Sequence, residues 1–146
     1  MYNKRRQRVI FGALGGHHSW MTSSLIGLRI VLPLHAVGVL AQAAFAGQFL
    51  SGLESPVVFH AWTAWAILAL ALAQAALTVL WAMRGGPLWF LLASVFLLIA
   101  ETLQTGTGYG RFLGVHIPLG VVLFGIVLWQ TIEVFRRPAP TPGIPG

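Results

Sequence analysis

The sequence predicts an all-α protein of the membrane, a four-helix bundle wound up-down-up-down. Three observations predict it. Hydrophobic residues fill 57% of the 146 positions and charged residues 8%, with a mean hydropathy of +0.80. A soluble domain carries about 25% charged residues, so the charge here is too sparse to coat a water-facing surface. Four apolar stretches reach the roughly 20 residues that a spanning helix needs. The connectors between them are short and carry Gly or Pro, which makes consecutive helices antiparallel neighbours. Low charge and many large apolar groups also exclude a disordered chain. The absence of cysteine excludes disulfides, thiolate metal sites and covalent haem attachment.

The elements follow in order. Residues 1–24 form a basic head. A first span runs over 25–50, interrupted only by Arg29, which is expected to reach the inner headgroups. It starts too late and runs too long for a cleaved signal peptide. The second span covers 57–83, the third 87–105 and the fourth 111–135, so that the bundle occupies 25–137. The tail 138–146 holds four prolines and is expected to be extended or disordered.

The net charge of +6 sits at the ends of the spans. That placement reads as membrane orientation, and no nucleic-acid partner is expected. Lys4, Arg5, Arg6, Arg8, Arg84, Arg136 and Arg137 fall on one side of the bilayer, against Arg111 and Glu54 on the other. By the positive-inside rule both termini are cytoplasmic, in a multi-pass protein of the bacterial cytoplasmic membrane.

Ionisable side chains inside lipid are costly and mark function by default. Here they are Arg29, His35, His60, Glu101 and His116. His60 and His116 both lie a few residues into helices that run in the same direction, so both rings sit roughly 5–8 Å inside the outer end. The second and fourth helices are diagonal in a bundle wound in chain order, about 11–14 Å apart. Two inward imidazoles at equal depth across such a gap are the arrangement that bis-histidine ligation of one haem b requires. Ala64 and Gly120 lie one turn beyond the two histidines and leave room for a ring system.

His35 lies deeper, on a face shared with Gly38, Gln42 and Phe45, without an obvious partner at its depth. It reads as a satisfied core histidine; a hydrogen bond to a haem ligand, a proton or quinone contact, and one ligand of a second haem are the functional alternatives. Glu101 falls close to the depth of the histidine pair. It is placed to orient a ligand imidazole, to pass protons to a quinone, or to reach the interface. Arg111 is either a partner for haem propionates or an interface anchor. His17 and His18 in the head make only a weak surface metal site. No nucleophile elbow, phosphate loop, HExxH or carboxylate pair is present.

The two hairpins echo one another. Gln42 and Gly47 close the first span and Gln104 and Gly106 the third, each followed by a turn and then a histidine early in the next helix. The run from Gln42 to Leu53, followed by His60 and then by the second hairpin with His116, resembles one half of a haem A synthase, over about 34–133. It also resembles a group of four-span bacterial membrane proteins of the same layout. The resemblance implies a four-helix half with haem-facing histidines on its second and fourth helices, His60 and His116. Where the catalytic half of that enzyme has Glu three residues before the histidine and Arg directly after it, this chain has Val57 and Ala61. The implication therefore extends to haem binding and not to synthase chemistry.

The expected function is that of a small b-type cytochrome, an electron-transfer protein or subunit rather than a stand-alone enzyme. It would hold one haem b near the outer leaflet. Its expected partners are the lipid bilayer, a quinone, and a larger membrane redox complex or further copies of itself. The alternative is an accessory subunit of a respiratory or photosynthetic membrane complex without its own cofactor. A small transporter or proton path through His35 and Glu101 is the third reading.

Overall fold

The computed structural model describes the backbone of residues 4–138 and the side chains of residues 23–138. The side chains of the basic head, with His17 and His18, and the tail beyond 138 lie outside the described residues. Four helices follow one another: α1 (Lys4–Leu50), α2 (Pro56–Ala82), α3 (Leu88–Tyr109) and α4 (Leu113–Arg136). Each contains a stretch long and apolar enough to cross a membrane, that of α1 being Ser23–Leu50. Two bounds differ from the sequence reading by more than two residues: α1 is already helical at Lys4, and α3 continues to Tyr109 rather than stopping near 105.

α1 packs on α2 and α4, and α3 packs on the same two helices, so α1/α3 and α2/α4 are the diagonals. Arg84, Arg136 and Arg137 fall at one end, the basic end. The α1–α2 and α3–α4 connectors, with His60 and His116 just beyond them, form the other, the histidine end.

The interior is layered. At the basic end Leu25, Leu28, Leu32, Trp81, Phe90 and Val134 make an apolar cluster, with the edge of Phe90 against Trp81 at 5.2 Å. Further along, Ala36, Leu97, Ala100, Leu123 and Val127 make a second. Buried polar side chains from all four helices, His35, Gln74, Ser94, Glu101 and Gln130, run between and alongside these clusters. The layering stops before the histidine end. No residue of α1 beyond Ala36, of α3 beyond Glu101 or of α4 before Leu123 is buried, and Pro56 is the sole buried residue of α2 before Ile67. One half of the bundle is therefore tightly packed and the other is open.

The buried residues repeat. Ile67, Ala71, Gln74 and Thr78 on α2 recur at one constant offset as Leu123, Val127, Gln130 and Val134 on α4, all of them buried. Leu28, Leu32 and His35 on α1 recur in the same way as Phe90, Ser94 and Leu97 on α3. The two hairpins thus present matching inward faces, as parallel repeats about an axis along the bundle do.

Arg29 reaches the end of α4 at the basic end of the bundle. Its Nη2 donates to the carbonyl of Arg137 at 2.6 Å and its Nε to that of Val134 at 3.5 Å, and its guanidinium lies over the Phe135 ring. The last carbonyls of a helix lack partners within it and carry partial negative charge, so a cation from the adjacent helix is drawn to them. Turns need positive φ where the helices stop: Gly52 and Gly85 supply it at two connectors, and at the third the residue with φ 57° is Arg111. A side chain in that conformation costs about 1 kcal/mol that glycine avoids.

Two outcomes are expected. Arg29→Gln loses the cap of α4 and lowers stability by about 1–2 kcal/mol, seen as a lower melting temperature in detergent. Arg111→Gly relieves the turn and leaves that temperature unchanged or raised.

Candidate functional site

Two hairpins build the site with the same device. In the first, His60 Nδ1 lies 3.1 Å from the carbonyl oxygen of Gln42, and Gln42 Nε2 donates to the carbonyl of His60 at 2.9 Å. In the second, His116 Nδ1 lies 2.9 Å from the carbonyl of Gln104, and Gln104 Nε2 donates to the carbonyl of His116 at 2.7 Å. Each glutamine–histidine pair is a reciprocal clamp across a hairpin. Thr107 adds a longer contact to His116 Nδ1, at 3.4 Å.

The clamp settles the tautomer. A carbonyl oxygen only accepts, so each Nδ1 carries the proton and each neutral ring keeps its lone pair on Nε2. An imidazole held by Nδ1–H to a carbonyl, with Nε2 free, is the usual state of a metal-binding histidine. Neither Nε2 has a hydrogen-bond partner among the described residues.

The rings come from the diagonal helices α2 and α4, and their centroids lie 6.2 Å apart with planes at 59°. An imidazole nitrogen binds a metal at about 2 Å and lies about 1 Å from its own ring centre, so rings on opposite sides of one ion have centres about 6 Å apart. The pair is spaced for a single ion between them. Among the described residues no group of three or more His, Cys, Asp or Glu gathers to hold a bare metal. Two nitrogens alone make a poor site for a free ion. They suffice where a macrocycle supplies the other ligands, as in haem.

The surroundings are small and polar. Ala64 and Gly120 are half-buried one turn beyond the histidines. Gly120 serves a partner that the sequence reading did not give it: a Cβ there would stand 3.0 Å from Gln104 Nε2, so its missing side chain makes room for the clamp. A Cβ on Gly108 would stand 2.8 Å from His116 Cε1. Gly108, Gln42 and Gln104 are site residues that sequence reasoning did not assign, although the Gln-turn-His echo contained both glutamines.

Glu101 and His35 belong elsewhere. Glu101 does not hold a ligand imidazole; its Oε1 lies 2.7 Å from His35 Nε2 across the α1/α3 diagonal. His35 is fully buried and has two partners, Glu101 and Gln74 Oε1 at 2.8 Å. Gln74 Nε2 reaches Gln130 Oε1 at 2.8 Å and Ser94 Oγ at 3.1 Å, and Gln130 Nε2 reaches the Phe90 carbonyl at 3.1 Å. Arg111 is exposed in the α3–α4 connector; its backbone N–H donates to the Gly108 carbonyl at 3.0 Å, and its guanidinium has no hydrogen-bond partner among the described residues.

The fold and site define an all-α bundle of membrane-spanning character with a diagonal histidine pair at its open end. Comparison of the chain with protein-family models, with curated proteins and with solved structures returned no match.

Gln74→Leu strands His35 Nδ1–H and Gln130 Oε1 at once and is expected to cost about 1–3 kcal/mol. Adding Gln130→Leu to it costs about 1 kcal/mol less than the two single losses combined, as thermal unfolding of the single and double variants will read.

Proposed function

We propose that the protein is a small membrane b-type cytochrome in which His60 and His116 hold one haem b through their Nε2 atoms. The observation that carries this reading is the pair of identical clamps: each fixes Nδ1–H on a backbone carbonyl, and together they leave two Nε2 lone pairs with ring centres 6.2 Å apart. The open half of the bundle supports it as well. A bundle packed to native density throughout would leave no space beside these rings, whereas here α1 beyond Ala36, α3 beyond Glu101 and α4 before Leu123 bury no residue.

When bound, the haem supplies a one-electron couple, with the potential set by axial ligation and burial. The chain's own residues orient the rings and hold their tautomer. Arg111 supplies a guanidinium at the same end, suited to a propionate carboxylate. Its strained turn supports such a role, since a side chain kept where glycine fits better is often kept for function. Electrons pass between a quinol or a membrane redox complex and an acceptor at the histidine end. With Arg84, Arg136 and Arg137 at the opposite end, that end faces the cytoplasm and the haem lies toward the outer leaflet of a bacterial cytoplasmic membrane. The likeness to one half of a haem A synthase fits the same reading.

Purification with haem supplied is expected to give one haem per chain, with a Soret band that sharpens and shifts on reduction. His60→Ala and His116→Ala each abolish that six-coordinate spectrum while the helical content persists. A full spectrum in both variants would refute the assignment. Gly108→Ala, which presses on the His116 ring, is expected to weaken haem retention about tenfold without unfolding the bundle.

A further inference from the structure

The buried chain at mid-bundle has a direction that its partners impose. The Phe90 carbonyl only accepts, so Gln130 Nε2 donates to it and Gln130 Oε1 must accept. Gln74 Nε2 is the donor to that oxygen, which leaves Gln74 Oε1 as an acceptor. The atom facing it is His35 Nδ1, which therefore carries a proton. The second ring nitrogen, Nε2, lies 2.7 Å from Glu101 Oε1. A contact so short between these atoms needs a proton between them. Either Nε2–H donates to a carboxylate, or a carboxyl O–H donates to a neutral ring. In both forms the pair holds one exchangeable proton and is neutral as a whole.

Losing that proton leaves one negative charge on residues that are 0% and 3% exposed. Nothing nearby is built to hold it. Glu101 Oε2 is buried without a hydrogen-bond partner, and the other buried orphans, Gln42 Oε1 and Gln104 Oε1, are acceptors too. The pair meets Gln74 from α2, and Gln74 in turn meets Ser94 of α3 and Gln130 of α4; none of these titrates. Arg29 of α1 is engaged with the end of α4, and Glu133 of α4 pairs with Arg136. The remaining ionisable groups within the spans are His60, His116 and Tyr109, beyond the pair toward the histidine end. Glu101 is about one helical turn from Gln104, whose carbonyl holds His116.

We propose that the His35–Glu101 pair is a redox-linked proton site, taking up one proton when an electron enters the haem between His60 and His116 and releasing it when the electron leaves. This rests on the haem reading above. With haem bound, the electron would come from a quinol or a reduced membrane partner. The proton comes from water and forms the bridge between Nε2 and Oε1; no other bond changes. Ferric haem carries one more positive charge than ferrous, and in a poorly screened interior that charge acts on an exchangeable proton held on the same bundle.

The test is a redox titration of the haem-loaded protein at several pH values. The midpoint is expected to fall as pH rises, toward the limit of about 59 mV per unit that a tenfold change per electron represents. Glu101→Gln flattens the dependence with the absorption spectrum unchanged, and Glu101→Asp retains it. Equal slopes in wild type and Glu101→Gln overturn the proposal. Should the variants fail to fold, the wild type decides by reduced-minus-oxidised infrared spectroscopy in H2O and D2O. Bands of a carboxyl and an imidazole that shift in D2O support the site, and their absence overturns it. A haem spectrum with a pH-independent potential removes this inference alone, whereas no haem spectrum removes the cytochrome reading and this coupling with it.

Discussion

Two backbone carbonyls decide what this bundle presents at its open end. Because the carbonyls of Gln42 and Gln104 accept from the Nδ1 atoms of His60 and His116, each ring keeps its lone pair on Nε2. Each glutamine returns the bond from its side chain to the carbonyl of the histidine that it holds. The clamp thus ties the end of one helix to the start of the next and aims the ring in the same act. It occurs twice, once per hairpin, and the two rings meet across the diagonal.

The packed half answers a different problem. In lipid, burying another leucine against a neighbouring helix gains little over leaving it against acyl chains, so helix association leans on close packing and interhelical hydrogen bonds. His35, Gln74, Ser94, Glu101 and Gln130 supply such bonds from all four helices. Because these bonds interlock, with Ser94 Oγ accepting from Gln74 and Gln130 and the Phe90 carbonyl accepting from Ser94 and Gln130, a slip of any helix by a turn would strand a buried polar group. The network holds the register that places the two clamps at equal height.

The sequence made the four spans readable, because lipid tolerates few interruptions in an apolar helix. The diagonal histidine pair was readable too, since helical rise and chain order place both residues. The clamps were visible only as an echo of Gln, turn and His. The spacing from glutamine to histidine is 18 positions in one hairpin and 12 in the other, so no fixed period announces the bond. The His35–Glu101 pair was not readable. Its members are 66 positions apart on diagonal helices whose backbones do not approach, and only the full fold brings their side chains together. The partner of Arg29 was not readable for a related reason: it is the end of α4, at the far end of the chain.

The paired faces of the two hairpins give the site its symmetry, and symmetry makes the central claim simple: one iron, two equivalent nitrogens. Electron paramagnetic resonance of the oxidised, haem-loaded protein tests it most directly. A low-spin ferric signal, coupled to two imidazole nitrogens and lost on substituting either His60 or His116, is the predicted result. A high-spin signal, or a low-spin signal that survives both substitutions, would contradict it.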